Sequence, residues 1–201
     1  MQNFTTTHRQ EPAKENSAVR TRNFDEIYRF FSIAQAASQA ERCVQCGDPF
    51  CAAIGCPLGN AIPQWLAAIA GRALEKAFWL ANETSPFPEI LGRICPHSHL
   101  CEGACTLNDG YGAISIGAIE ASIVDLGFAA GLKLPFPGAV RPQKVAVIGS
   151  GPAGLSCAHF LLRAGIGVDL YERAPEPGGL LAIGIPNFKL DKNLVRRRFA
   201  I

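Results

Sequence analysis

The stretch CVQCGDPFCAAIGCP, residues 43–57, contains four of the eight cysteines of this 201-residue chain. Three more lie in GRICPHSHLCEGAC, residues 92–105. The eighth, Cys157, lies in a predicted helix, where a free cysteine usually behaves as a small buried apolar residue. The other seven cannot pair completely as disulfides, so the two groups indicate metal binding or redox chemistry.

The spacing within the first group favours iron–sulfur clusters over zinc. A structural zinc site usually combines two short pairs of ligands, whereas this stretch has the pattern C-x2-C-x4-C. A proline also follows both Cys56 and Cys95. In two-cluster ferredoxins, closely spaced cysteines bind one cluster and the cysteine before a proline binds the other. Zinc bound by the cysteines alone is the alternative.

Applied to this chain, the crossover predicts two sets of ligands. The predicted ligands of the first cluster are Cys43, Cys46, Cys51 and Cys105. The predicted cysteine ligands of the second cluster are Cys56, Cys95 and Cys101. Two cubane clusters need about eight ligands, so the eighth is a residue of another type.

Glu120 is the candidate for the eighth ligand. It lies on the predicted helix that follows the second cysteine group, and a carboxylate can bind iron. His97 and His99 are alternatives, because imidazole replaces thiolate in some clusters. A histidine among cysteines can also act as a hydrogen-bond donor to the metal ligands.

The segment KVAVIGSGPAGLSCAHFLLRAGIGVDLYE, residues 144–172, predicts a nucleotide-binding βαβ unit. An apolar strand leads into the G-x-G-x-x-G sequence of Gly149, Gly151 and Gly154, a helix and a second strand follow, and Glu172 closes that strand. The glycines permit a tight turn, close approach of the backbone to a pyrophosphate, and close packing of helix on strand. The helix N-terminus then faces the phosphates. A βαβ unit without a ligand is the alternative.

Glu172 indicates which nucleotide is bound. A carboxylate there accepts hydrogen bonds from free ribose hydroxyls and repels a 2′-phosphate, which favours FAD or NAD over NADP. Gly178 and Gly179 offer a second close approach of the backbone to the cofactor. The candidate cofactor-binding residues are Gly149, Gly151, Pro152, Ala153, Gly154, Glu172, Arg173, Gly179 and Leu180.

The chain divides by composition into a helical part and an α/β part. The predicted segments are a polar arm over 1–22, a helical domain with both clusters over 23–131, a proline-rich linker over 132–143 and a first βαβ unit over 144–201. The fold class is therefore an α-helical, ferredoxin-like iron–sulfur domain followed by the start of an α/β FAD-binding Rossmann-like domain.

Two helix predictions can be compared with a structure. Phe24, Ile27, Phe31 and Ala34 recur at helical spacing and predict an amphipathic helix that runs into the first cysteine. Residues 59–94 predict short helices separated by prolines and a glycine. Ser115 is expected to cap a further helix that ends before Gly131.

Composition excludes several other functions. The net charge is +2, and lysines and arginines form no stripe interleaved with aromatics, so no nucleic-acid surface is expected. The apolar stretches are interrupted by charges, so no membrane span is expected. The N-terminus lacks an apolar export segment, so the protein is expected in the reducing cytoplasm.

Several strings together resemble the family of small (β) subunits of NADPH-dependent glutamate synthase. They are CGDPFC, GCPLGNAIPQWL, GRICPHSHLCEGACTLNDG, ISIGAIE, VAVIGSGPAGLSCA and YERAPEPGGLLAIGIPNFKLDK, and they extend from about residue 40 to the end. The N-terminal region of dihydropyrimidine dehydrogenase is similar, with a glutamine as eighth cluster ligand at the position of Glu120. Four residues separate Cys51 from Cys56, where three are common in the family.

The resemblance implies two [4Fe-4S] clusters and an FAD domain into which an NADPH domain is normally inserted. It implies an electron-transfer subunit that takes electrons from NADPH through FAD and passes them to the glutamate synthase large subunit, for glutamate biosynthesis. Family members are more than twice as long, so we expect a fragment, or a chain completed by another, with an incomplete FAD site, no catalytic residue of its own and little activity alone. Related oxidoreductase subunits, of the dihydropyrimidine dehydrogenase or ferredoxin:NADP type, and a non-catalytic cluster-bearing adaptor are the alternatives.

Overall fold

The computed structural model describes residues 1–138 and 140–201, which form two compact units. The first unit comprises Met1–Asn16 and Tyr28–Leu132, and the second comprises Ser17–Ile27 and Lys133–Ile201. The predicted linker over 132–143 includes Ala139, which lies outside the described residues.

The helices are short and dominate the first unit, whereas the two longer strands belong to the second. The α-helices are α1 (Ser17–Arg20), α2 (Ile33–Ala40), α3 (Ile62–Ala70), α4 (Leu74–Thr84), α5 (Pro88–Ile94), α6 (Ile116–Ala129), α7 (Pro152–Arg163), α8 (Leu180–Ile183) and α9 (Lys192–Phe199). The strands are β1 (Ala13–Lys14), β2 (Tyr28–Arg29), β3 (Lys144–Ile148) and β4 (Gly167–Tyr171).

The core of the first unit is built around α6, which packs against α2, α4 and α5. Trp65, Phe78 and Ile119 are fully buried in this unit. Helices α5 and α6 cross closely because Gly92 has no side chain: a Cβ there would lie 2.6 Å from the carbonyl oxygen of Gly117. The cysteine-bearing loops are thus attached to a closely packed helical scaffold.

The predicted start of the amphipathic helix, at Phe24, was wrong. Helix α2 begins only at Ile33, because Ser32 and Gln35 form a reciprocal capping box that fixes its first turn. The preceding residues Tyr28–Arg29 pair antiparallel with Ala13–Lys14 instead. Phe24 is 75% exposed and so is not part of an apolar helix face.

The N-terminal residues carry more structure than their polar composition indicated. Asn3–Thr5 form a short 3₁₀ turn, and the Asn3 N–H donates to the carbonyl oxygen of Glu41. The Ser115 hydroxyl donates to the carbonyl oxygen of Gln10. Residues 1–16 are therefore held within the first unit by hydrogen bonds, and the ring of Phe4 contacts that of Tyr111.

The short helices predicted after Pro57 are confirmed. Helix α3 has Pro63 in its first turn and ends before Gly71, and α5 begins at Pro88. Ser115 occupies the N-cap position of α6 as predicted, but its side chain makes no capping bond. Gly131 follows the end of α6 with a φ of +81°.

The βαβ unit predicted for the second unit is also confirmed. Strands β3 and β4 are parallel, with Lys144 paired to Gly167 and Ile148 paired to Tyr171, and α7 connects them. Cys157 is exposed, so its predicted burial was wrong. The buried face of α7 is formed by Leu155, Ala158 and His159, and Cys157 falls outside that stripe.

Candidate functional site

Four cysteines line one cavity in the first unit. They are Cys43, Cys46, Cys51 and Cys105, the set predicted for the first cluster. The apolar residues Leu66, Leu107, Ile114 and Ile116 complete much of the wall. The structure therefore brings a cysteine from the second group to three cysteines of the first. That they bind a cluster stays a prediction.

Local backbone geometry brings the first three of these cysteines together. Gln45 adopts a left-handed conformation with a φ of +54°, which turns the chain tightly between Cys43 and Cys46. Its backbone N–H and its side-chain amide donate to the Cys43 sulfur at 3.4 and 3.3 Å. A single π-helical turn over Cys51–Gly55 then leads out of the cavity.

The thiols of this set influence one another electrostatically. Burial, followed by the charges of Cys105 and Cys43, raises the pKa of Cys51 to about 12. Burial also raises the pKa of Cys43, with smaller contributions from Cys105 and Cys46. Cys43 is buried and the other three cysteines are partly exposed. Cation binding would convert their thiols to thiolates, because metal binding releases the thiol protons.

Members of the second predicted set act on one another electrostatically in the first unit. Burial and the charges of Glu120 and Cys56 raise the pKa of Cys95 to about 11. Burial and the charges of Glu102, Glu120 and Cys56 also raise the pKa of Cys101. Gly55 makes this arrangement possible, since a Cβ there would lie 2.8 Å from the Cα of Cys101.

Glu120 is buried on α6, beside the second set. Burial and the charge of Glu89 raise the pKa of Glu120 to about 8, against the opposing effect of a hydrogen bond from Asn60. The Asn60 amide donates to the Glu120 carboxylate at 2.7 Å, and Asn60 is itself only 3% exposed. The carboxylate is therefore held in a fixed orientation by a buried amide.

The two histidines predicted as alternatives occupy different surroundings. The ring of His97 packs on Gly117 in the first turn of α6, where any Cβ would collide with it. His99 is exposed.

Neither donor set forms a compact site for a single metal ion in the described residues. In the described part of the chain, no three histidine, cysteine or acidic side chains stand close enough together to hold a metal ion. A cubane cluster carries its ligands on separate iron atoms, so the ligands stay further apart than around one ion. Thiols spread around a cavity, with amide donors on one sulfur, fit such a cluster.

In the second unit, the glycine loop has the backbone that a dinucleotide needs. Gly149 has a φ of +93°, which favours glycine, and a Cβ on Gly154 would collide with the carbonyl oxygen of Gly149. A Cβ on Gly151 would meet no atom within 4 Å, so the backbone there is open to a ligand. Gly179 approaches the same loop, since its Cβ would lie 2.8 Å from the Cα of Gly151.

The acid at the end of β4 is oriented by the glycine loop itself. The Ser150 hydroxyl and backbone N–H donate to one Glu172 oxygen at 2.5 and 2.9 Å, and the Ala174 N–H donates to the other. These hydrogen bonds lower the pKa of Glu172 to about 2. Because the group is ionised at neutral pH, it can accept a further hydrogen bond from a ribose hydroxyl.

The residues predicted from sequence do not include several side chains that orient these groups. Gln45 and Ser150 could have been predicted from sequence. Each lies between two residues of a motif, so its hydrogen-bond donors are necessarily near the groups of that motif. Asn60 carries no such signal: it is 60 positions from Glu120, and only the fold brings the two together.

The fold and these sites define a class of proteins that join an iron–sulfur domain to a Rossmann-like nucleotide-binding domain. Residues 20–132 match the model of a family described as dihydropyrimidine dehydrogenase domain II, 4Fe-4S cluster. Residues 147–191 match an NAD(P)-binding Rossmann-like domain. Since the first match covers more than half of the chain, the chain belongs to that iron–sulfur family.

The curated relatives agree with the resemblance seen in the sequence. A glutamate synthase [NADPH] small chain from Halomonas elongata is 44% identical over 98% of this chain and 42% of its own length. The small chain from Escherichia coli is 47% identical over 97% of this chain and 41% of its own length. The E. coli protein AegA is 47% identical over 96% of this chain and 29% of its own length. The chain thus spans about two fifths of the glutamate synthase small chains it matches.

No helix in the described residues is both long enough and apolar enough to cross a membrane.

Proposed function

We propose that the chain is the cluster-bearing, electron-transfer part of an NADPH-dependent oxidoreductase of the glutamate synthase small-chain type. The observation that carries the proposal is the cavity lined by Cys43, Cys46, Cys51 and Cys105, which joins two distant cysteine groups around one space. When bound, a flavin accepts hydride from NADPH and [4Fe-4S] clusters carry the electrons singly to a partner. By similarity the partner is the glutamate synthase large subunit.

In this proposal each cysteine set holds one cluster, and Glu120 completes the second. Three observations support Glu120 over the histidines: it lies within electrostatic reach of both Cys95 and Cys101, it is buried, and Asn60 orients it. Gln45 donates two hydrogen bonds to the Cys43 sulfur, and such bonds raise a cluster's reduction potential.

The second unit holds the adenosine end of FAD in the same proposal. The open backbone at Gly151 approaches the pyrophosphate, with Pro152, Ala153 and Gly154 forming the start of α7 behind it. Glu172 accepts a hydrogen bond from the ribose, held in place by Ser150. The neighbouring candidates are Arg173, Gly179 and Leu180, where Leu180 is 68% exposed and therefore accessible to a cofactor.

Iron analysis tests the cluster assignment. The chain is purified anaerobically, iron, sulfide and zinc are quantified, and EPR spectra are recorded after reduction. We expect about eight irons and about eight sulfides per chain, as two cubane clusters require. About four irons or fewer, or zinc in their place, would contradict the assignment of two clusters.

Two further measurements test the flavin and the activity. FAD is added to the purified chain, which is then gel-filtered, and we expect less than one flavin retained per chain because only a few groups of the chain contact it. NADPH oxidation with an artificial acceptor should be absent for this chain alone. Sustained turnover would favour a complete enzyme over an electron-transfer part.

A second candidate is a related oxidoreductase that serves another electron acceptor. The similarity to AegA favours it, because that protein is as similar to this chain as the E. coli glutamate synthase small chain is. Co-purification with the glutamate synthase large subunit, or its failure, separates the two candidates.

A further inference from the structure

Arg42 is fully buried, with 0% of its surface exposed, and directly precedes Cys43. Its guanidinium donates four hydrogen bonds of 2.7–3.0 Å, all to backbone carbonyl oxygens. The accepting residues are Thr7, Tyr111, Gly112 and Ala113. Arg42 therefore joins the N-terminal segment, the end of α2 and the loop that follows Cys105.

The charge of Arg42 differs from that of its neighbour Arg9. Arg9 also donates to the Ala113 carbonyl oxygen, at 3.1 Å, but its guanidinium is paired with the carboxylates of Glu102 and Glu11. Among the residues that the structure describes, every hydrogen-bond acceptor of Arg42 is an uncharged carbonyl. A buried positive charge without an ion-pair partner of its own is unfavourable, because its hydration is lost.

Arg42 adjoins the four-cysteine cavity through two of its neighbours. Cys43 follows Arg42 in sequence and lines the cavity, and Ile114, which follows Ala113, lines it too. The guanidinium is thus connected to the cavity wall on two sides, through Cys43 and through the Ala113–Ile114 segment.

We propose that Arg42 is the buried counter-charge of the metal centre formed by Cys43, Cys46, Cys51 and Cys105. This inference rests on the proposed function, since it takes that centre to be an iron–sulfur cluster. Four thiolates and an iron–sulfur core carry a net negative charge, and that charge grows when an electron is added. A fixed positive charge beside them stabilises the added electron and raises the reduction potential, which depends on the surrounding charge.

The test compares Arg42→Gln and Arg42→Lys with the wild-type chain, each purified anaerobically with its clusters. Glutamine removes the charge and keeps an amide donor, whereas lysine keeps the charge and loses the planar donor pattern. Lys76→Gln, at an exposed position on α4, is the control for losing one positive charge elsewhere in the first unit. The readouts are iron content and the midpoint potentials of the EPR signals in a redox titration.

We expect Arg42→Gln to lower the potential of one of the two clusters at unchanged iron content, and Arg42→Lys and Lys76→Gln to leave both potentials near the wild-type values. Unchanged potentials in Arg42→Gln, with iron retained, would overturn the proposal. If Arg42→Gln does not fold or loses its iron, the Arg42→Lys variant alone tests the proposal. Wild-type iron content and potentials in the lysine variant support the charge as the essential property. Lost iron or shifted potentials in that variant assign the role to the four hydrogen bonds and overturn the proposal.

Failure of the proposed function gives a different result. A wild-type chain that binds zinc, or no iron at all, removes the cluster itself before any variant is compared. A wild-type chain with iron, whose potentials do not respond to Arg42, leaves the proposed function intact and refutes the counter-charge alone.

Discussion

The two units of the chain bury their apolar residues to very different extents. Within the described residues, the largest fully buried side chains lie in the first unit with the exception of Leu190. In the second unit, Val147 is the one buried residue of β3 and β4, and Ile148 is 81% exposed. Parallel strands are usually covered on both faces, so the sheet of the second unit is unusually open.

This difference separates two ways of holding a cofactor. In the first unit, the candidate ligands stand on a closed helical core that positions them from several directions. In the second, the candidate site is one glycine loop and one oriented carboxylate beside a two-stranded sheet. The comparison predicts that the first unit binds its metal centres firmly, whereas the second unit contributes only part of a nucleotide site.

The largest expected effect comes from the four-cysteine cavity. Cys51→Ala should halve the iron content, from about eight to about four per chain, because a cubane cluster that loses one of its thiolates is not retained. Cys157→Ala, at an exposed position in the second unit, is the matched control and should keep all the iron. Iron content is measured on anaerobically purified protein. Full iron in Cys51→Ala would show that Cys51 is not a ligand.

A smaller but more specific effect is expected at Glu120. Glu120→Ala should lose iron from the second cluster, because no side-chain oxygen remains to complete its ligands. Glu120→Gln should retain that iron, since its amide oxygen can replace the carboxylate and still accept the hydrogen bond from Asn60. Iron content and the EPR spectrum of each variant provide the measurement. Full iron in both variants would show that Glu120 is not a ligand and would leave His97 as the candidate.

A pair of glycines tests the difference in packing directly. Gly92→Ala should lower the free energy of unfolding by roughly 1–3 kcal/mol, because its Cβ overpacks the crossing of α5 and α6. Gly151→Ala should change stability little, since the space around it is open, but should weaken the binding of ADP or FAD. Thermal unfolding and nucleotide titration measure the two effects. Unchanged stability of Gly92→Ala would mean that the crossing of α5 and α6 is less tightly packed than described here.

The smallest effect concerns pH and the second unit. Burial, with the charges of Arg198 and Arg163, lowers the pKa of His159 to about 4, and its ring contacts Phe136 and Phe160. Between about pH 6.5 and 4 the unfolded state binds a proton that the folded state excludes, so stability falls as the pH is lowered, by at most about 3 kcal/mol.

Hydrogen exchange of the second unit across this pH range is the measurement for His159. His159→Phe should flatten the dependence, because phenylalanine keeps the ring contacts and cannot take up a proton. Exchange in the first unit serves as the internal control. An equally steep dependence in the variant would assign the effect to other groups.

Much of the nucleotide loop could be predicted from sequence because its chemistry is local. Gly149 and Gly154 stand where backbone sterics demand glycine, and the strand, turn and helix around them follow one another directly in the chain. The same locality explains why the short helices between Pro63 and Pro88 were predicted well. The start of α2 was predicted wrongly because the apolar periodicity extends upstream of the capping box at which the helix begins.

The sequence by itself determined which residue types could bind metal and how they are spaced, because thiol chemistry belongs to single residues and spacing is a property of residue order. The tertiary structure alone decided that Asn60 orients Glu120 and that Arg42 is buried among carbonyl groups. These contacts join positions about 60 or more residues apart, or depend on the depth of burial. Distance through space and exclusion of water arise only when the helices pack, so no local pattern could encode them.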